Sequence, residues 1–437
     1  MSRLALLGGK PIRRSPFPSW PVFDQAEESA LLDVLRSGKW WRYAWSEPGE
    51  PDPGEGVQSG SKVAAFQESF AQFQGAKYGV ASATGTGALE VALAALGIGP
   101  GDEVLVPAYT FVATASAVLM MNATPVFIDI DSETLNLDPK RLEEAVGPRT
   151  RAVILVHFAG LAADMGAIIE IARRRRLAVV EDAAHGHGGS WNGRGLGSIG
   201  DLGAFSFQAS KNMTAGEGGL ITTNDRELAA LCESYISAGR EPRRPWYEHH
   251  RLGWNYRMTE FQGAILLQQM RRLDAQNVRR NQSAAYLNEH LSRIPGISIL
   301  RTPSYVTRHA HHLYAFRFCG NEFAISRDDF LNALSAEGIP CTGGYAHPLY
   351  QNPMFLPRNF IPPFCPKGCD HGREVVDFAS YSSKCPNAEL ACHEVVWLEQ
   401  RLLLSAEQDL GDIVHAIEKV HECRAEIMHW NEQTGGP

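Results

Sequence analysis

The stretch FSFQASKNMTAGEGG, Phe205 to Gly219, decides how the chain reads. An apolar run of strand character ends here in a loop of small residues that carries one lysine, Lys211. A lysine beside a strand end loses solvent and its pKa falls, and a partly neutral amine is what imine formation requires. Ser206, five residues earlier, offers a hydroxyl to a phosphate, while Gly216, Gly218 and Gly219 let backbone approach a flat ring closely. Taken alone, the stretch reads equally well as a surface lysine in a glycine loop.

Upstream, LAVVEDAAHGHGG (177–189) is an apolar strand that stops at Glu181 and Asp182 and is followed by His185 and His187. A carboxylate at a strand terminus pairs with a protonated pyridine nitrogen and keeps such a ring an effective electron sink. Asp182 is the candidate for that pairing; a helix cap or a structural ion pair is the plainer reading. His185 and His187 lack a third and fourth ligand at suitable spacing, so no metal site is expected. Further upstream, SATGTGALEVALAALG (82–97) enters a helix through residues without bulk. Free N–H groups and the helix dipole make such an N-terminus an anion site, with Gly85, Thr86 and Gly87 as candidates. A lone glycine turn is weak evidence and lacks the lysine of a P-loop. The conjunction is stronger: phosphate cradle, carboxylate and lysine follow one another along one α/β region.

From about residue 76 to 225, short apolar runs alternate with helix-length amphipathic stretches, the pattern of an open, largely parallel sheet. VLVPAY, PVFIDID, AVILVHF, LAVVEDAA and GAFSFQ read as strands; GALEVALAALG, TFVATASAVLMMN and DMGAIIEIARRRR read as helices. Ligands of such sheets gather beyond the carboxyl ends of the strands, where the unusual polar residues lie. A long helical stretch from Thr259 to about Ile294 bridges to a smaller unit of mixed strands and helices, which closes with the amphipathic DLGDIVHAIEKVHECRAEIM. At 437 residues the chain exceeds one ordinary core, so a large domain over 1–275, including an N-terminal arm, and a smaller C-terminal α+β domain over 276–437 are expected.

Lys plus Arg number 41 against 49 Asp plus Glu, a net charge of −8, the balance of a soluble protein without a nucleic-acid footprint. The run Arg173 to Arg176 reads as the solvated end of a helix. The apolar start is too short for a secretory segment and no run of about 18 apolar residues occurs, so no membrane partner and a cytoplasmic location are expected. Eight cysteines are too sparse for a disulfide scaffold, and Cys365 and Cys369 in CPKGC read as free thiols. The acidic, Pro- and Gly-rich segment Ser46 to Lys62 has almost nothing to bury and reads as a mobile loop.

These segments resemble the fold-type-I pyridoxal-phosphate (PLP) enzymes, specifically the DegT/DnrJ/EryC1/StrS family of sugar aminotransferases. The resemblance runs through LALLGGKP, FPSWP, GTGALEVALAALGIGPGDEVLVPAYTF, EDAAHGHGG, SKNMTAGEGGLITTND, GWNYRMTEFQGAIL and CPNAELACHEVVWLEQRLLL, nearly the whole chain. It implies the aspartate aminotransferase-like fold and PLP as cofactor. It also implies that Lys211 carries PLP as a Schiff base and serves as acid–base catalyst, that Asp182 binds the pyridine nitrogen, and that Gly85, Thr86 and Ser206 hold the phosphate. Phe111, in PAYTF, sits where an aromatic stacks on the ring. His185 stands where many members carry Gln, near the ring hydroxyl. Asn255, in GWNYR, matches a residue that reaches the phosphate of the neighbouring subunit, which implies a homodimer with shared active sites.

One branch of the family dehydrates its substrate and has His in place of the lysine; Lys211 supports transamination from L-glutamate or L-glutamine to a keto-sugar or keto-cyclitol. GKWWRYAW, VHFAGLAADM and DAAHGHGGSWNGRGLG look like the cyclitol aminotransferases and equally like the 3-amino-5-hydroxybenzoate synthases, which keep the lysine yet eliminate water. A non-catalytic, PLP-binding regulatory protein is a further alternative, disfavoured by an intact Lys211 and Asp182. Trp40, Trp41, Arg42 and Tyr43 read either as an acceptor pocket or as a packed N-terminal arm. His309, His311, His312 and His347 read as surface or satisfied core residues and receive no catalytic role.

Overall fold

Each of the five apolar runs forms a strand of one sheet, because strands covered on both faces need near-continuous apolar sequence. In the computed structural model, residues 3–42, 59–241, 244–245, 247–355 and 378–434 are described. The strands in chain order are β1 (Tyr78–Ser82), β2 (Glu103–Pro107), β3 (Thr124–Ile128), β4 (Thr150–Val156), β5 (Ala178–Asp182), the short β6 (Ser190–Trp191) and β7 (Arg194–Gly195), β8 (Leu202–Ser206) and β9 (Gly219–Thr223). Seven of them form a sheet in the order β1-β9-β8-β5-β4-β2-β3. The pairs from β8 through β5, β4 and β2 to β3 are parallel, and β9 runs antiparallel to both its neighbours. The fold is the largely parallel α/β architecture of the fold-type-I PLP enzymes. β1 and β9 escape the sequence reading because YGVAS and GLITT are short and built of small or hydroxyl residues.

The three expected crossover helices are Gly85–Ala95, Ala113–Met120 and Met165–Arg175. Arg174 pairs with Glu170 and Glu143 in solvent, and Arg176 leaves the last helix in the left-handed region at φ 58°, so the arginine run is a solvated helix end. A 32-residue helix, Glu260–Leu291, leads to β10 (Ile297–Ile299), β11 (Val306–Arg308), β12 (Leu313–Phe318) and β13 (Val395–Glu399). β10, β12 and β13 form a second, antiparallel sheet, while β11 returns to pair with β6. The closing amphipathic stretch is two helices, Glu407–Glu422 and Arg424–Thr434, interrupted at Cys423.

One core is filled from both ends of the chain, and a second lies on the large sheet. The core of the second sheet gathers Phe316, Phe318, Phe330, Leu398 and Ile417 together with Leu4 and Phe17. Tyr350, Phe355, Phe378 and Tyr381 instead close around Phe127 of the large sheet. Among the described residues no helix is long and apolar enough to cross a membrane. Cys365, Cys369, Tyr43 and most of the Ser46 to Lys62 loop lie outside the described residues; the helix Lys62–Gln74 begins at the end of that loop, capped by Ser61.

Candidate active site

Neighbouring strand residues face opposite sides of a sheet, and the pair at the end of β5 divides its work accordingly. Glu181 turns to the interior and is fully structural in its contacts: it accepts from the N–H groups of Gly197 (2.7 Å), Ile199 (2.6 Å) and Gly200 (2.6 Å) and meets His157 Nε2 at 2.9 Å. Burial opposes its ionisation, but the His157 contact and the Gly200 and Gly197 N–H groups prevail and hold its pKa below the usual carboxylate range. Asp182 is buried on the other side. Its Oδ2 accepts from Thr114 Oγ1 at 2.8 Å and its Oδ1 from Ala184 N at 3.2 Å. Burial is the largest influence on Asp182 and raises its pKa, offset in part by these hydrogen bonds and by the charge of Lys211.

Lys211 follows β8, which lies beside β5 with Asp182 in register with Ala204. Its side chain is half-buried and desolvation brings its amine down to about 8, with the Asp182 charge opposing the fall. The lysine is thus a group poised between cation and neutral amine near pH 8, next to a buried carboxylate.

Ser206, the last residue of β8, presses against the start of the helix Gly85–Ala95. A Cβ on Gly85 would lie 2.6 Å from Ser206 Cβ, so only glycine allows this approach. Thr84 caps the helix, its hydroxyl accepting from Gly87 N at 3.0 Å, which leaves the N–H groups of Gly85 and Thr86 as the donors that face the cleft end. Gly87 has a second reason to be glycine: a Cβ there would stand 2.9 Å from the Tyr256 ring. Gly219 and Gly218 serve packing rather than a ligand ring, since a Cβ on Gly219 would strike the Thr84 carbonyl oxygen at 2.1 Å and one on Gly218 would crowd Phe207.

Phe111 is 58 % exposed just ahead of the helix Ala113–Met120, an aromatic face open among the described residues. His185 is buried, with its ring 4.1 Å from that of His312 and tilted 33° to it. Its Nδ1 has no hydrogen-bond partner among the described residues. Burial holds the pKa of His185 well below the ordinary value, and the Lys211 charge adds to the fall. Asn255 is exposed and forms an isolated β-bridge with Ser237, beside Tyr256, whose carbonyl accepts from Ala83 N.

Two residues, Thr114 and Asn212, escaped the sequence reading. Thr114 lies one helical turn after Thr110 and supports Asp182 from another element, which no local motif signals. Asn212 and His312 meet at 3.2 Å, and only the fold brings residue 312 beside residue 212. Arg42 belongs to the packed arm: it is buried, donates to Gln67 Oε1 (2.6 Å) and pairs with Glu233 (2.9 Å). Trp40 rests on Phe261, and Trp41 lies under Arg257. His347 is exposed. Among the described residues no group of three or more His, Cys, Asp or Glu is placed to hold a metal ion.

A glycine-walled helix N-terminus, a desolvated lysine and a buried carboxylate at the carboxyl ends of adjacent parallel strands define a PLP-dependent enzyme of fold type I. The residues fit that cofactor: the Gly85–Ser206 contact leaves no room for a side chain at the phosphate end, and Asp182 supplies a carboxylate at the other. Residues 52–366 match the DegT/DnrJ/EryC1/StrS aminotransferase family, and the chain belongs to it. It is 36 % identical to an L-glutamine:2-deoxy-scyllo-inosose aminotransferase of Micromonospora echinospora over 98 % of this chain and 100 % of that one. It is 33 % identical to a 3-amino-5-hydroxybenzoate synthase of Amycolatopsis mediterranei, over 91 % of this chain and 96 % of the relative. A crystal structure of a 3-amino-5-hydroxybenzoic acid synthase superposes with a TM-score of 0.82 at 32 % identity, covering 95 % of this chain and all of that one. The protein is a PLP-dependent aminotransferase.

Proposed function

We propose that this aminotransferase moves the amino group of L-glutamine to the ring ketone of a cyclitol, in two half-reactions that share one site. The observation that carries the reading is the placement of Lys211, in the loop after β8, within electrostatic reach of Asp182 at the end of β5, with relatives named for action on inososes supplying the acceptor class. When bound, PLP supplies an electron sink that stabilises negative charge at the carbon losing its proton. Asp182 holds the pyridine nitrogen protonated, a role served by its ionised form, which Thr114 and Ala184 stabilise. The N–H groups of Gly85 and Thr86 with Ser206 Oγ take the phosphate, and Gly87 keeps that helix end open. Phe111 would cover the ring face, and His185 would stand by the ring hydroxyl. Lys211 would hold the cofactor through its Nζ, and the same Nζ, freed when a donor is bound, would take the proton from the donor Cα and return one to the acceptor carbon in the second half-reaction. Asn255 reaches the phosphate of a neighbouring copy, so the working unit is a homodimer in the cytoplasm.

The similarity to 3-amino-5-hydroxybenzoate synthases favours one second reading, elimination of water from an aminated dehydroshikimate, with the same residues in the same places. The test is the visible spectrum of wild type and Lys211→Ala with PLP, before and after L-glutamine, followed by mass detection of products from scyllo-inosose and 2-deoxy-scyllo-inosose. A visible band that L-glutamine bleaches in wild type alone, with an aminated cyclitol formed, supports the proposal. A band that no donor bleaches, or conversion of the dehydroshikimate to an aromatic product, overturns it.

A further inference from the structure

Four residues, His309 to His312, are held more firmly than a connecting segment needs. Asn281 Nδ2 donates to His309 O, Ala310 N to Gly160 O at 3.0 Å, and His312 N to Ala159 O at 2.8 Å. Both sides of that junction hold a non-glycine residue in the left-handed region, Ala159 at φ 55° and His311 at φ 46°. Each such residue is strained, and strain of this kind persists where the surroundings over-determine it and clusters at functional sites. Gly160 is bound into the same contact, because a Cβ there would stand 2.8 Å from His185 O and 2.9 Å from Ala310 Cβ. The junction therefore joins the segment to the backbone of His185 as well.

The fourth attachment is to the neighbour of the lysine. Asn212 Nδ2 donates to Ala310 O at 2.7 Å, which turns Asn212 Oδ1 to His312 Nδ1 at 3.2 Å. An amide oxygen only accepts, so His312 carries its proton on Nδ1 and leaves Nε2 as a bare acceptor. Four groups act electrostatically on His312: Lys211, His185, His187 and the buried Arg280. None is a carboxylate, and the ring stays neutral with its tautomer set by Asn212.

We infer that His312 is a positioning residue for the amino transfer, holding the His185 ring by stacking and the Lys211 loop through Asn212. The inference rests on the reading of Lys211 as the cofactor lysine and of His185 as the residue at the ring hydroxyl. It couples the two loops that hold the reacting end of the cofactor to one clamp, drawn from a segment more than 90 residues beyond the lysine in sequence. Loss of the clamp leaves the fold in place but lets both groups wander, and a displacement of about 1 Å at a reacting group costs up to about a hundredfold in rate.

The test is a double-mutant cycle on the PLP-loaded protein with His312→Ala, Asn212→Ala and the pair, with His312→Gln as the variant that keeps side-chain length and a donor for Asn212. Two quantities are read: the pH midpoint of the visible band without any donor, and the single-turnover rate of its bleaching by L-glutamine. Each single variant is expected to shift the midpoint and to slow bleaching at least about tenfold, the pair no more than either alone, and His312→Gln to recover part of the loss. Unchanged midpoints and rates, or losses that multiply in the pair, overturn the proposal. If His312→Ala does not fold by circular dichroism, Asn212→Ala decides: a shifted midpoint supports the clamp and an unshifted one refutes it. The midpoint needs bound PLP only, so an altered midpoint with no bleaching in wild type marks failure of the donor assignment and not of the clamp.

Discussion

Replacing Gly85 by alanine tests whether the close approach of β8 to the helix Gly85–Ala95 is what builds the phosphate end of the site. The new Cβ would sit 2.6 Å from Ser206 Cβ and 3.1 Å from both Ser206 Cα and Oγ. Carbon atoms in contact rest near 3.5 to 4.0 Å, so the helix end and the strand end must part by about 1 Å. All three atoms belong to Ser206 at the strand terminus, and while its hydroxyl can rotate away, Cα and Cβ move only with the backbone. Overpacking of this kind costs roughly 1 to 3 kcal/mol. Because the displaced groups are the N–H donors and the hydroxyl that face the phosphate, most of that cost appears as lost PLP affinity, about ten- to a hundredfold in Kd at 1.4 kcal/mol per factor of ten. The assay is equilibrium titration of cofactor-free protein with PLP, in parallel with thermal unfolding of the same material. Gly97→Ala is the control: that position has φ 73° and open space within 4 Å, so it should lose about 1 kcal/mol of stability and no PLP affinity. Wild-type affinity in Gly85→Ala, or an equal loss in Gly97→Ala, would refute the reasoning.

Two further outcomes follow from the charges. With Lys211 at about 8, its neutral fraction grows as pH rises through that value, so the rate at which added PLP regains its visible band should climb with a midpoint near pH 8 and then level off. An unperturbed lysine would keep climbing to about pH 10. Asp182→Asn removes the charge that raises the lysine pKa and should move the midpoint lower; a rate still rising at pH 9.5, or a midpoint moved upward in the variant, contradicts the assignment. Glu181→Gln replaces an acceptor of three N–H bonds by an amide whose NH2 faces donors, and breaking a buried pair of this kind costs about 3 to 5 kcal/mol in urea unfolding. Since the Glu181 pKa is depressed in the fold, its contribution is present above its unfolded value near 4.3 and lost as pH falls through the lower folded value. Wild type and variant should therefore converge in stability only in strong acid, and a constant difference down to pH 2 would contradict this.

The amino-acid sequence by itself determined the strands from β2 to β5, β8 and the three crossover helices, and it put forward Lys211 and Asp182 as the candidates for the chemistry. Buried parallel strands, helix caps and a lysine in a small-residue loop are short-range patterns, written within a dozen residues of one another. The same alternation along β5 tells that Glu181 and Asp182 face opposite ways, but which of them faces the ligand depends on the loop from Gly197 to Gly200 folding beneath the sheet to take Glu181. Only the tertiary structure decided that β9 reverses the sheet direction and that Thr114 supports Asp182. It also decided that Trp40 to Arg42 pack as an arm and that His312, which the sequence marks only as one histidine among several, lies on His185. These relations join residues tens to hundreds of positions apart. They arise from the packing of whole elements around a common core, and no local propensity or spacing carries that information.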